Sequence, residues 1–128
     1  MKYLLDTQVI LWVAGNSPLL STKAADVVLD ANTEKYVSIA SVWEVSMKIG
    51  TKKLDIAGGL PEFFKMIDGN GFVTLPIERE YLSCLSALPE HPHTDLFDRL
   101  LIATAIVENM TLLTADENIT KYGVRYVW

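Results

Sequence analysis

Short apolar runs alternate with longer stretches in which apolar positions recur every three or four residues. Such alternation marks strand–helix units built around a parallel sheet. Lys2 to Asp6 reads as the first strand and Thr7 to Ala14 as the helix behind it. Gly15-Asn16-Ser17-Pro18 is a break. Ser21 caps a predicted helix running to about Asn32, with Ala24, Ala25, Val28 and Leu29 on one face. Lys35 to Ser38 is a second strand, and Ser41 opens a helix through about Ile49. After Gly58-Gly59, Pro61 marks the first turn of a helix ending near Gly69. Gly71 to Leu75 is the third strand, Glu78 to Leu88 a helix stopped by Pro89, and Glu90 to Thr94 a loop. Asp95 to Asn109 is the most strongly patterned helix. Its Leu100, Leu101, Ala103, Thr104, Ala105 and Val107 predict burial nearly all round. Met110 to Thr114 is a fourth strand, Glu117 to Tyr122 a short helix and Val124 to Val127 the last strand.

The 128 residues, half of them hydrophobic, fit one domain spanning 1–128 with a core of its own. The single cysteine, Cys84, excludes an intramolecular disulfide and fits a reducing cytoplasm. Its helical neighbours Tyr81, Leu85 and Leu88 predict that it packs in the core. The opening Met1-Lys2-Tyr3-Leu4-Leu5-Asp6 is not expected to be a signal peptide, because its apolar stretch is short and meets an aspartate. No apolar run approaches the ~20 residues that span a bilayer. Eleven Lys and Arg against sixteen Asp and Glu leave a net charge of −5. That balance counts against an unaided electrostatic nucleic-acid binder, unless a bound cation enters the sum.

Four acids change the picture. Asp6 closes the first strand, and Asp116 follows the fourth. Asp98 lies in the first turn of the long helix, and Glu44 about one turn into the helix after the second strand. Parallel sheets bind ligands at the carboxyl ends of their strands, and all four acids can reach that edge. Singly, each has a plainer role: Asp6 and Asp116 as helix caps, Glu44 completing a capping box with Ser41, and Asp98 standing in the same relation to Asp95. Together, carboxylates drawn from distant segments repel one another unless a cation lies between them. A hard ion such as Mg²⁺ or Mn²⁺ takes oxygen ligands and can promote in-line attack of water on a phosphodiester. A metal-dependent nuclease is therefore the expected chemistry.

The sequence around these acids resembles a known family. Leu4-Leu5-Asp6-Thr7, Ser41-Val42-Trp43-Glu44-Val45, Asp95-Leu96-Phe97-Asp98-Arg99-Leu100-Leu101-Ile102-Ala103 and Leu113-Thr114-Ala115-Asp116 resemble PIN-domain nucleases, above all the VapC-type toxins of toxin–antitoxin pairs. The likeness runs in order from Lys2 to Trp128. It implies a three-layer α/β/α fold with a central, mainly parallel sheet of about five short strands. It also implies Mg²⁺ or Mn²⁺ on Asp6, Glu44, Asp98 and Asp116, and cleavage of single-stranded or loop RNA. The Thr114 hydroxyl would stand beside the metal site, and the protein would form a homodimer and bind an antitoxin. Three positions depart from the family pattern: Gln8 where His is common, Leu96 for a common Pro, and Lys52 for a usual Gly.

Other residues carry lesser expectations. Thr7 and Thr114 either orient the acids or close local turns. Arg99 reaches a phosphate or a partner, or forms a helix-surface ion pair. Lys48, Lys52 and Lys53 form the one basic cluster, which either tracks an RNA backbone or is a solvated face. His91 and His93 have ligand-like spacing, but no further His or Cys completes a zinc set, and a plain loop is favoured. Trp12, Trp43 and Trp128 read as core or dimer-face aromatics rather than base-stacking platforms. Two rival functions share these features. A signalling receiver domain has a similar length and acidic strand ends, but it needs an acidic pair where Thr7 and Gln8 stand here. A PIN-like scaffold that binds RNA or protein without cutting fits the negative charge.

Overall fold

Successive side chains of a strand face opposite sides of a sheet, and here both sides are apolar. The structure, a computed structural model, describes residues 1–91 and 94–128. Its strands are β1 (Lys2–Leu5), β2 (Glu34–Ser38), β3 (Val73–Leu75), β4 (Thr111–Leu113) and β5 (Tyr126–Val127). Leu5, Val37 and Leu113 enter one core with Val9, Ile10, Val45, Phe63 and Ile67. Their strand neighbours Leu4 and Leu112 enter a second core with Leu101, Ile102, Ala105 and Ile119. The helices supplying the first core are α1 (Thr7–Ala14), α2 (Thr22–Leu29), α3 (Ile39–Gly50) and α4 (Gly59–Gly69). The second core is covered by α6 (Leu96–Glu108) and α7 (Glu117–Thr120), while α5 (Arg79–Ala87) packs on α6 through Tyr81. The result is three layers, α/β/α, as expected.

The five strands run in the order β3-β2-β1-β4-β5, and every adjacent pair is parallel. The first three strands build outward from β1 on one side, and β4 then starts on its other side. This reversal between β1 and β4 is the topological switch point, where a crevice opens beyond the strand ends. A receiver domain has the order 2-1-3-4-5, so the topology removes that rival. The register pairs Leu5 with Leu113 and thereby sets Asp6 level with Thr114.

The structure corrects several expectations of detail. Helix α3 begins at Ile39, not Ser41: the Ser38 side chain caps it by accepting from the Ala40 amide at 3.0 Å. Ser41 is fully buried inside the helix, so the Ser41–Glu44 capping box does not form. Helix α2 stops at Leu29, short of Asn32, because the Asp30 side chain accepts from the Asn32 amide and starts a turn. Leu29 faces solvent rather than the core, and so does Val107 on α6. The last strand is confined to Tyr126–Val127 and the helix before it to four residues. Cys84 is half-buried.

Candidate functional site

Each of the four acids reaches the switch-point crevice from a different connection. Asp6 follows β1 and is buried. Its Oδ1 caps α1, accepting from the amides of Gln8 at 2.6 Å and Val9 at 3.3 Å. Its Oδ2 accepts from the Thr114 hydroxyl at 2.5 Å. Thr114 Oγ1 in turn accepts from the Asp116 amide at 3.1 Å, so one hydroxyl ties the ends of β1 and β4 together. Asp116 caps α7 by accepting from Asn118. Asp95 caps α6 by accepting from the Asp98 amide at 2.8 Å, which leaves the Asp98 carboxylate free of capping. The plain and functional roles thus coexist at Asp6 and Asp116, whereas Asp98 and Glu44 cap nothing.

Glu44 is set on the buried side of α3, with 7 % of its surface exposed. One oxygen meets the Lys48 ammonium at 3.0 Å. The other, Oε1, is buried and has no hydrogen-bond partner among the described residues. Leaving such an acceptor unmet costs about 1–3 kcal/mol. Beside it, the buried Thr7 hydroxyl donates to Ser41 Oγ at 2.9 Å and pins α1 to α3.

Asp6, Glu44, Asp98 and Asp116 line one cavity of about 360 Å³ with Thr7, Gln8, Leu11, Trp12, Lys48 and Asp95. The electrostatics follow from this gathering. Burial first, then the charges of Asp95, Asp6, Asp116 and Glu44, push the Asp98 carboxyl up to about 8. Burial also raises the Asp6 carboxyl; hydrogen bonds from Thr114, Val9 and Gln8 oppose the rise and the charge of Asp116 adds to it. Among the described residues no three His, Cys, Asp or Glu side chains are drawn in to metal-ligand spacing. Bare carboxylates in one pocket repel and stand apart. The donor set nevertheless fits a hard divalent ion: oxygen ligands only, one buried acceptor left unpartnered, and a carboxyl that resists ionisation without compensation.

The lesser expectations divide. Lys48 stands in the cavity wall. Lys53 lines a neighbouring groove, and Lys52 is exposed outside both. Arg99 is not brought to the acids. Its guanidinium donates to the carbonyls of Pro89, Leu85 and Leu88 and to the Tyr122 hydroxyl. It is a clasp on the chain around Pro89. His91 packs edge-on against Tyr122 at 4.6 Å, while His93 lies outside the described residues. Trp43 packs on Phe97 and Trp12 on Trp128, but Trp12 also faces the acid cavity, as do Gln8 and Asp95. These three are missing from the sequence-based site. Spacing was the available signal: once Asp6 is placed at the strand end, positions 7, 8, 11 and 12 of the next helix share the face turned toward it.

The chain matches the PIN domain family over residues 3–124. Curated protein sequences gave no match. Among solved structures, the fold is similar to that of a chain of VapBC2 from Rickettsia felis, bound to a DNA fragment from its promoter (TM-score 0.76, 15 % identity, 99 % of this chain and 98 % of that one). It is also similar to a chain of a toxin–antitoxin complex from Klebsiella pneumoniae (TM-score 0.62, 18 %, 89 % and 86 %). A third similar structure is the PIN domain endonuclease Utp24 (TM-score 0.52, 17 %, 94 % and 75 %). With the family profile covering nearly all of a sheet and crevice that have this arrangement of acids, the chain belongs to the PIN domain family.

Proposed function

We propose that this protein is a Mg²⁺- or Mn²⁺-dependent endoribonuclease, the VapC-type toxin of a toxin–antitoxin pair, acting in the cytoplasm. The observation that carries the proposal is Glu44 Oε1, a buried, unpartnered acceptor on a residue that lines one cavity with four further carboxylates. A folded protein keeps such a cost where the acceptor has work to do. The similar structures support the toxin reading through the complexes in which they occur and the endonuclease among them.

Asp6, Asp98, Asp116 and Glu44 would hold the ion. When bound, it would supply a lowered pKa for water and charge relief on the phosphodiester. The chain's own groups do the rest. Thr114 and the α1 amides fix both oxygens of Asp6 in place before any ligand arrives. Glu44, in the cavity wall, would help hold the ion or orient the attacking water. Trp12 and Gln8 form the wall against which the nucleotide is positioned. A homodimer finds support in the outer face of α3, where Ile39 and Trp43 are exposed one turn apart. No described helix is long and apolar enough to cross a membrane.

The test is cleavage of a mixed RNA pool by purified protein with Mg²⁺, with Mn²⁺ and with EDTA, beside Asp6→Asn and Asp98→Asn. Metal-dependent cleavage lost in both variants is expected. A folded, antitoxin-free protein that cuts no RNA with either metal would leave the non-cutting scaffold in its place.

A further inference from the structure

Lys48 stands where two cavities meet. It lines the acid cavity, and it also lines a second groove of about 480 Å³ together with Glu44, Met47, Lys53, Leu96 and Phe97. Its ammonium holds one oxygen of Glu44 at 3.0 Å. By spacing this is an i,i+4 helix pair of the kind that contributes little on a surface. The setting differs, because Glu44 is almost wholly buried and its other oxygen has no partner. Lys48 is therefore the one cation, among the described residues, that compensates any of the four acids through an ion pair. Its own side chain is 44 % exposed and free to swing.

We propose that Lys48 is a positioning residue that alternates between two anions: Glu44 in the resting protein, and a backbone phosphate of single-stranded RNA once a divalent cation has taken Glu44 over. Resting as this does on the cation-dependent nuclease reading, its geometry adds a sequence of events. The two cations, ammonium and metal, compete for one carboxylate. When the metal wins, the released ammonium lies at the mouth joining the acid cavity to the second groove, where a strand leaving the cut passes. Lys53 continues the positive charge along that groove, and Met47, Leu96 and Phe97 give it an apolar floor. Lys48 and Lys53 thus present positive charge to RNA along the exit from the acid site, beside Asp95.

Mn²⁺ affinity measured calorimetrically in wild type, Lys48→Gln, Glu44→Gln, the double variant and Lys53→Gln tests the first half without any RNA. Lys48→Gln is expected to bind Mn²⁺ roughly three- to tenfold more tightly, and this gain to vanish in the Glu44→Gln background. Lys53→Gln is expected to change little, which separates competition for Glu44 from a general field effect. Equal gains with and without Glu44, or no gain, would overturn the proposal. Binding of a mixed-sequence 2′-O-methyl RNA with Mn²⁺ present tests the second half. The slope of log affinity against log salt should fall by about one in Lys48→Gln and be retained in Lys48→Arg; an unchanged slope in Lys48→Gln would overturn the phosphate contact. Wild type that binds no Mn²⁺ would remove the nuclease reading as well, whereas Mn²⁺ binding without coupling to Lys48 removes only this proposal.

Discussion

Lys35 and Glu44 are equally buried, each with 7 % of its surface exposed, and they lie on one strand–helix unit at opposite ends of the sheet. Lys35 is at the amino-terminal end. Its ammonium donates to the Asp30 carbonyl at 2.7 Å and to Thr33 Oγ1 at 3.3 Å, closing the turn after α2. Glu44 is at the carboxyl end, with one oxygen paired and the other facing nothing. Burial of a charge is tolerated where hydrogen bonds replace water. By that rule Lys35 is a finished structural element and Glu44 an unfinished one. Burial alone does not mark a functional group; burial combined with unmet bonding capacity does.

The largest effect should come from breaking this contrast at both ends. Glu44→Gln is expected to lower metal-dependent cleavage by about a hundredfold or more, since even residues one step removed from a metal commonly cost 10- to 100-fold. Its unfolding free energy should hold or rise, because a poorly compensated buried charge has gone. Lys35→Ala should do the reverse: lose about 1 kcal/mol in urea unfolding with its hydrogen bonds to the Asp30 carbonyl and Thr33, with cleavage per folded molecule unchanged. If Lys35→Ala proved inactive while folded, or Glu44→Gln were destabilised as much as Lys35→Ala, the contrast would collapse.

Next in size is a pH effect at the acid end. Asp98 ionises near 8 in the folded protein and near 3.8 when unperturbed. Between those values the folded form holds the proton more tightly, so this group's contribution to stability is full below about pH 4 and lost as pH rises to about 8. The raised Asp6 carboxyl acts in the same direction. Because Asp98 is partly open to solvent, the effect is about 1–3 kcal/mol rather than the full shift. In EDTA, Asp98→Asn should therefore be more stable than wild type at pH 8.5, and this advantage should shrink toward pH 4. Added Mg²⁺ should narrow the gap at pH 8.5. Equal stability of the two proteins across that range would remove the electrostatic strain ascribed to the site. Smaller again is Thr114→Val, which strips the hydroxyl linking Asp6 to the Asp116 amide. A loss of about 1–2 kcal/mol is expected, together with weaker Mn²⁺ binding by about tenfold and recovery of both in Thr114→Ser.

The same contrast explains what could be read from the sequence. Strands and helices were legible because Leu4-Leu5 and Leu112-Leu113 are apolar on both faces, a pattern that requires covering layers. The acids were legible through their places at strand ends and helix starts. Strand order was not, because pairing depends on contacts between segments far apart in sequence. A helix start was hard to place where two capping residues compete. Ser38 and Ser41 are both good caps, and nothing local reveals that Ser41 is needed to receive the Thr7 hydroxyl from another helix. Trp12 packs against the core and on Trp128, in keeping with the core reading, and what the sequence did not reveal is that it also lines the cavity.

Arg99 supplies the smallest prediction and the sharpest control. It stands next to Asp98 in sequence, yet successive residues of a helix point about 100° apart, and its guanidinium turns away to the chain around Pro89. There it resembles Lys35, a charge whose donors are met by Pro89, Leu85, Leu88 and Tyr122. The planar fork reaches several acceptors at once, which an ammonium does not reproduce. Arg99→Lys should thus cost about 1 kcal/mol and leave the RNA salt slope and the cleavage rate at saturating substrate unchanged below the unfolding transition. A fall in cleavage rate with unchanged stability would place Arg99 with Glu44 among the working charges, and would mean that the clasp opens when substrate binds.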